Sequence, residues 1–314
     1  MGRGPLIGTA HGTRREAFGA QEWALLALVA AIWGSSFVLI EVALDHLEPG
    51  LIAFGRVAIG ALTLATFPRS RRASVDRSDL PRIAVLGLSW MAAPFLLFAV
   101  GQQHIDSSLA GMLNGSVPIF SSVFAAVLLR RAPGSRQVVG LVAGFAGVVA
   151  VLWPAARGAE ATAFGAGLVV LAVICYGLAL NVAVPLQQRY GALPVLLRAQ
   201  LAALVVLTPA AIVALPRSSF AWSSFLAVSV LGALGTGVAF VAMTTLVGRV
   251  GATRGSVATY LLPVVAIALG VVFLDETVEA ISILGTALVL AGAYLTTRSE
   301  RRVLPMPTTR EDVR

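Results

Sequence analysis

The chain has no lysine, one cysteine and three histidines, and too few charges of either sign to coat a folded domain. Each shortage removes a class of protein. Charged residues are 12% of the 314, against about a quarter in soluble domains, so these residues cannot build a water-facing surface. The lone Cys175 sits inside an apolar run, which excludes an intrachain disulfide and a cysteine-based metal site. His11, His46 and His104 fall outside the long apolar runs, and no paired-acid or His-rich motif falls within one. The nucleophile–base pair or metal cluster of an intramembrane enzyme is therefore missing, and no cofactor motif is present. No charged ring or filter-like loop marks a channel. The net charge of +8 does not point to nucleic acid either. All 23 basic residues are arginines, and they lie mostly between apolar runs rather than along one face.

What is there is apolar length. Hydrophobic residues make up 58% of the chain and the mean hydropathy is +0.88. A membrane span needs roughly 20 apolar residues. Such runs fall at 22–40, 50–67, 82–101, 108–129 and 136–153, then at 163–184, 194–215, 223–247, 253–274 and 279–297. Arg14-Arg15 precedes the first run, but no small-residue cleavage pattern follows it, so the sequence predicts a retained span rather than an export signal. With the N-terminus in the cytoplasm, ten spans place nineteen of the 23 arginines on the inner side, among them Arg69, Arg71, Arg72, Arg130 and Arg131. Arg157 and Arg217 lie outside; Arg56 and Arg198 lie within spans. Such a bias is what the positive-inside rule requires. The expectation is a multi-pass protein of the cell membrane with both termini cytoplasmic and the lipid bilayer as its solvent.

A shift of 145 residues lays the fourth and fifth spans on the ninth and tenth without a gap. Pro118 meets Pro263, Gly140 meets Gly285 and Gly147 meets Gly292. Earlier spans align at nearly the same shift, Trp33-Gly34 on Tyr176-Gly177 and Phe95 on Phe240. Because five is odd, consecutive copies insert in opposite senses, and matched loops then trade charge: Arg130-Arg131 falls where Asp275-Glu276 falls. The predicted fold is all-α, about ten transmembrane helices in two inverted five-helix repeats, 22–153 and 163–297, between tails 1–21 and 298–314. Inverted repeats place a solute site near the midplane and support alternating access.

Trp33-Gly34-Ser35-Ser36-Phe37 in the first span resembles the opening motif of the drug/metabolite transporter superfamily, specifically its EamA-type members. Arg56 in the second span, the mid-span Pro118 and Pro263, and Asp275-Glu276 closing the ninth span fit the same pattern. Arg131 departs from it, standing where the family often has glutamate. The resemblance implies a ten-helix carrier of small metabolites or drug-like solutes, most often an exporter, and it does not name the solute.

Polar residues within the spans are the candidates for contact with that solute: Trp33, Ser36, Arg56, Asn114, Tyr176, Asn181 and Tyr260. Arg56 either attracts a carboxylate or phosphate, or bonds backbone carbonyls between helices. The amides either line a cavity or join helix to helix, and the aromatics either wall a cavity or simply pack. Gly111-x-x-x-Gly115, Gly140-x-x-x-Gly144 and Gly251-x-x-x-Gly255 permit close helix approach, while Pro94, Pro118, Pro209 and Pro263 are expected to kink their helices. No acid lies near the centre of a span, which predicts facilitated or exchange transport, or coupling through peripheral acids such as Glu41.

Overall fold

The computed structural model describes residues 19–72, 74–129, 134–157, 160–250 and 257–297, and among these every regular element is helical. In chain order the principal helices are α1 (Ala20–Leu44), α2 (Pro49–Ala65), α3 (Arg77–Gly101), α4 (Ser107–Leu128) and α5 (Ser135–Arg157). They are followed by α6 (Glu160–Tyr190), α7 (Ala192–Arg217), α8 (Trp222–Leu246), α9 (Ala258–Leu274) and α10 (Ala280–Leu295). Seven of them are long and apolar enough to cross a membrane; α2, α9 and α10 are equally apolar in character but shorter. At 17 residues, α2 rises about 25 Å, a little under a hydrocarbon core of about 30 Å. The chain is a multi-pass membrane protein. The Arg130-Arg131 loop, the Gly251–Gly255 motif, residues 1–18 and the 298–314 tail lie outside the described residues.

Outward-pointing side chains such as Leu62, Val205 and Phe273, 70–75% exposed, are apolar. Only lipid makes that favourable, and in lipid the backbone must satisfy its own hydrogen bonds, hence helix throughout. Inside, one cluster around Ile40, Leu113, Ile119, Val169 and Ala266 joins α1, α4, α6 and α9. A second around Val57, Met91, Leu196 and Phe240 joins α2, α3, α7 and α8.

Several helices are interrupted, and the interruptions have local causes. In α1 the hydroxyls of Ser35 and Ser36 both donate back to the Ile32 carbonyl, at 3.0 and 3.1 Å, where the helix breaks at Ser35. α4 breaks at Gly115–Ser116 and α9 at Leu261, each just before a proline that cannot donate to the preceding turn, Pro118 and Pro263. α3 and α8 each widen into a π-turn, over Leu88–Ala92 and Leu231–Val238. In α3 that turn ends just before Pro94, whereas Pro209 sits inside an unbroken stretch of α7.

Crossings between helices come in matched pairs. A Cβ added to Gly147 of α5 would lie 2.6 Å from the Gly285 carbonyl of α10, and one added to Gly292 would lie 2.5 Å from the Gly140 carbonyl. Likewise Gly34 of α1 presses on Val265 of α9, at 2.5 Å, and Gly177 of α6 presses on Phe120 of α4, at 2.8 Å.

At one end of the bundle, Glu276 in the α9–α10 connection caps the first turn of α4. Its carboxylate accepts from the Ser107 N–H (2.8 Å), the Ser107 hydroxyl (2.6 Å) and the Ser108 N–H (2.9 Å). Asp275 makes this possible by taking a left-handed conformation, φ 54°, and Gly270 leaves room, because a Cβ there would sit 2.3 Å from Glu276 Oε2. An anion at a helix N-terminus is favourable on charge as well as hydrogen bonding. Glu276→Gln keeps one acceptor and loses the other and the charge, so it is expected to lower stability by about 1–2 kcal/mol, read as a fall in unfolding midpoint.

Asp106, the N-cap residue of α4, makes no side-chain capping bond. Burial, and then the nearby Glu276 carboxylate, push its carboxyl above the ordinary carboxylate range. The folded state thus holds the Asp106 proton more tightly than the unfolded chain, and this contribution is lost as pH rises through the raised folded value. Asp106→Asn is therefore expected to raise the midpoint at neutral pH by about 1–2 °C, a gain that shrinks on acidification.

At the other end, Asp79 accepts from Arg189 (2.8 Å), Tyr190 (2.7 Å) and Arg82 (3.2 Å), with Asp76 also bonded to Arg189, while Glu22 of α1 pairs with Arg249, three residues past Leu246 on the continuation of α8, at 2.7 Å. Arg198 donates to the Pro194 and Ser70 carbonyls near the same end.

Candidate functional site

The π-turn of α8 is where side chains from three other helices converge. The sequence Leu231-Gly232-Ala233-Leu234-Gly235-Thr236-Gly237 is rich in glycine, and the wider turn leaves carbonyls free to accept from neighbours. Trp33 of α1 donates its indole N–H to the Gly235 carbonyl at 2.9 Å. Gln200 of α7 donates to the Thr236 carbonyl at 2.8 Å. Arg56 of α2 donates through Nε to Thr236 Oγ1 at 3.0 Å, and Thr236 passes its own proton to the Leu231 carbonyl.

Arg56 is 8% exposed. Its guanidinium lies over the Phe95 ring of α3, 3.9 Å from the centroid, a contact that stabilises a desolvated cation by about 2 kcal/mol. Among the described residues no carboxylate lies within ion-pair distance of it. The charge is thus held by a ring face and one hydroxyl, with no counter-ion among the described residues. Ser36 of α1, 5% exposed, faces the same turn: Ser36 Oγ and Arg56 Nη2 both approach Gly235. Behind Trp33, the Phe240 ring stands edge-on to both Trp33 and Trp90, with centroids 5.4 Å apart in each pair.

Of the remaining sequence candidates, Tyr176 packs on the Phe95 side of this cluster and the other three stand apart from it. Tyr176 stacks on Phe98, centroids 5.9 Å apart, and it packs against the clusters on both sides of the bundle. Asn181 donates to the Ser121 carbonyl at 3.0 Å and to the Gly177 carbonyl at 2.9 Å, joining α6 to α4. Tyr260 donates to the Ala293 carbonyl at 3.2 Å, joining α9 to α10. Asn114 is half-buried at the break in α4, and its amide has no hydrogen-bond partner among the described residues. Trp33, Ser36 and Arg56 are therefore one cluster; Asn114, Asn181 and Tyr260 are not part of it.

Two participants were not among the sequence candidates, Phe95 and Thr236, which hold Arg56; the mid-span amide Gln200 is fully buried, with Oε1 lacking a partner among the described residues. Gln200 stands 144 residues after Arg56, close to the repeat offset, and Phe95 falls on Phe240 when the repeats are aligned. The acid suggested for coupling, Glu41, is half-buried, 3.5 Å from the Gln102 amide nitrogen, which also donates to the Phe37 carbonyl at 2.8 Å. Among the described residues no group of three or more His, Cys, Asp or Glu side chains could hold a metal. A surface cleft between α2, α3 and α7, lined by Gly50, Leu96, Val100 and Arg217, does not include Arg56 in its walls.

Comparison with known proteins gives a consistent picture. The model of the EamA-like transporter family matches twice, at residues 21–153 and 163–298. A protein named "Probable terminal-alkyne amino-acid exporter" from Streptantibioticus cattleyicolor is 30% identical over 283 residues, 88% of this chain and 93% of that one. An "Uncharacterized transporter" from Archaeoglobus fulgidus is 26% identical, covering 88% of this chain and 99% of its own. The "Uncharacterized inner membrane transporter YedA" of Escherichia coli K12 is 27% identical over 87% of this chain and 89% of its own. A solved crystal structure superposes with a TM-score of 0.63 at 19% identity, covering 89% of this chain and 97% of that chain, a likeness of fold.

Proposed function

This chain belongs to the EamA-like transporter family, and we propose that it is a secondary transporter carrying a small organic solute outward across the cytoplasmic membrane by alternating access. In this reading residues 22–153 and 163–297 form two five-helix repeats of opposite orientation, all ten helices span, and tails 1–21 and 298–314 lie in the cytoplasm. The paired crossings support it. Exchanging the repeats turns the Gly147–Gly285 contact into Gly292–Gly140 and the Gly34–Val265 contact into Gly177–Phe120, and both members of each pair are present. The breaks before Pro118 and Pro263 and the two π-turns fall at the same offset.

The observation that carries the reading is the buried contact of Arg56, from the 22–153 segment, with Thr236, from the 163–297 segment. A buried cation without a counter-ion is costly to a static bundle and useful to a carrier, which needs a polar site between moving halves. Trp33, Ser36 and Arg56 line that site. Tyr176 and Asn114 border the path to it, and Asn181 and Tyr260 fix the helices that flank it. The outward direction and an amino-acid-like solute draw on the exporter named for the Streptantibioticus relative.

Purified protein in sealed liposomes is expected to show saturable uptake and counterflow from a pool of labelled metabolites. Flux that rises linearly with concentration, without counterflow, would replace the carrier by a channel. A C-terminal reporter found outside the cell would break the topology.

A further inference from the structure

The three glycines of the α8 turn have different reasons to be there. A Cβ on Gly232 would lie 2.5 Å from Ile59 Cβ, and one on Gly237 would lie 2.6 Å from Thr63 Cγ2, so both are needed for α8 to close on α2. Gly235 meets neither demand. Its φ is not positive, so its backbone is open to any L-residue. Outside its own helical turn, only two atoms of the described residues lie within 4 Å of a Cβ built there: Ser36 Oγ at 3.5 Å and Arg56 Nη2 at 3.7 Å, both ordinary contact distances. The smallest residue thus keeps a methyl-sized gap clear in front of a hydroxyl and an uncountered guanidinium edge.

We infer that this gap, widened as the two halves of the carrier part, is the docking subsite for a carboxylate of the transported solute. One carboxylate oxygen accepts from Arg56 Nη2, and the other accepts from Ser36 Oγ once that hydroxyl turns from the Ile32 carbonyl, which it bonds at 3.1 Å in this structure. The remaining edge of the fork is already oriented by Thr236 and its face by Phe95, so little order is lost when the anion arrives. Arg56 also needs no change of charge, since guanidinium stays protonated. The inference rests on the transporter reading for the identity of its ligand, though not for the existence of an anion subsite.

The test is thermal stabilisation of the detergent-purified protein by pools of L-amino acids and simple mono- and dicarboxylates, set against pools of the matching carboxamides. At least one carboxylate is expected to raise the unfolding midpoint while its carboxamide does not. Gly235→Ala should fold with an unchanged midpoint, because its methyl fits, and weaken that carboxylate about tenfold or more by filling the gap. Ser36→Ala should weaken it less, by about threefold. Stabilisation by carboxamides as strong as by acids, no stabilisation by any carboxylate, unaltered binding in Gly235→Ala, or failure of that variant to fold would each overturn the subsite. Counterflow in liposomes separates the two claims. Saturable exchange of a neutral or cationic solute alone removes the carboxylate subsite and leaves the carrier standing. Carboxylate binding that responds to Gly235→Ala without any exchange keeps the subsite and removes the carrier.

Discussion

Gly292→Leu is expected to leave almost no monodisperse protein after extraction in detergent. Even a methyl at this position would lie 2.5 Å from two backbone atoms of α5, the Gly140 carbonyl oxygen and the Gly144 nitrogen. Backbone has no rotamer by which to yield, so the helices themselves must part. They would part along the whole crossing, since the Gly147 position sits just as close, 2.6 Å from the Gly285 carbonyl and from the Val289 nitrogen. In lipid no hydrophobic force draws helices together, and association rests on this close packing. Overpacking a yielding core costs about 1–3 kcal/mol; here neither side yields, and a loss of about 3 kcal/mol or more is a large share of a typical stability of about 5–15 kcal/mol. Gly167→Leu provides the control, because no other helix among the described residues comes within 4 Å of a Cβ at Gly167. Size-exclusion profiles and unfolding midpoints of the two variants, measured side by side, check the expectation. A Gly292→Leu protein that matches wild type in both would show that the α5–α10 crossing is looser than these distances imply.

The residues of that crossing were readable beforehand, though not their meeting. Hydropathy places nine or ten apolar runs, and glycine and proline recurring at a 145-residue offset single out Gly140, Gly147, Gly285 and Gly292 from other small residues. The helix ends were less visible. α6 runs on past its apolar stretch 163–184 through Gln187, Gln188 and Arg189 to Tyr190, because polar residues end a span without ending a helix. The polar candidates were harder still. Residue type does not separate an asparagine that joins helices from one that meets a solute; what separates them is the group opposite, and Asn181 faces the Ser121 and Gly177 carbonyls while Asn114 faces none among the described residues. For Arg56 the deciding partner, Thr236, lies 180 residues away. No periodicity or local motif encodes such a pairing. The π-turn that presents Thr236 was hidden as well, since its glycines read like those of any tight crossing.

Arg56→Leu is expected to abolish transport, lowering the rate about 100-fold or more, while leaving the unfolding midpoint equal to or above that of wild type. The two halves of this expectation depend on one fact, that the guanidinium is buried against Phe95 and Thr236 without a carboxylate among the described residues. Desolvating an ion costs several kcal/mol, and a ring face with a single hydroxyl recovers only part of it. A leucine of smaller volume fills the apolar side of the same space, leaves Thr236 bonded to the Leu231 carbonyl, and removes the desolvation penalty altogether. Replacement of buried ions by apolar residues is often neutral or stabilising for this reason. A residue whose removal stabilises the fold and stops the function is held in place by the function. If Arg56 instead joined helices as a structural bolt, the same substitution would lower the midpoint by several degrees and reduce transport only in proportion to the folded protein remaining. Arg56→Lys sharpens the distinction. It keeps the charge but replaces the planar fork by a point donor, so a static electrostatic role would survive it, whereas recognition through Nη2 beside Ser36 would not. Midpoint and transport rate measured together on Arg56→Leu and Arg56→Lys therefore decide between bolt and binding group, and the burial, beside Gly235, of a cation with no carboxylate partner among the described residues favours the binding group.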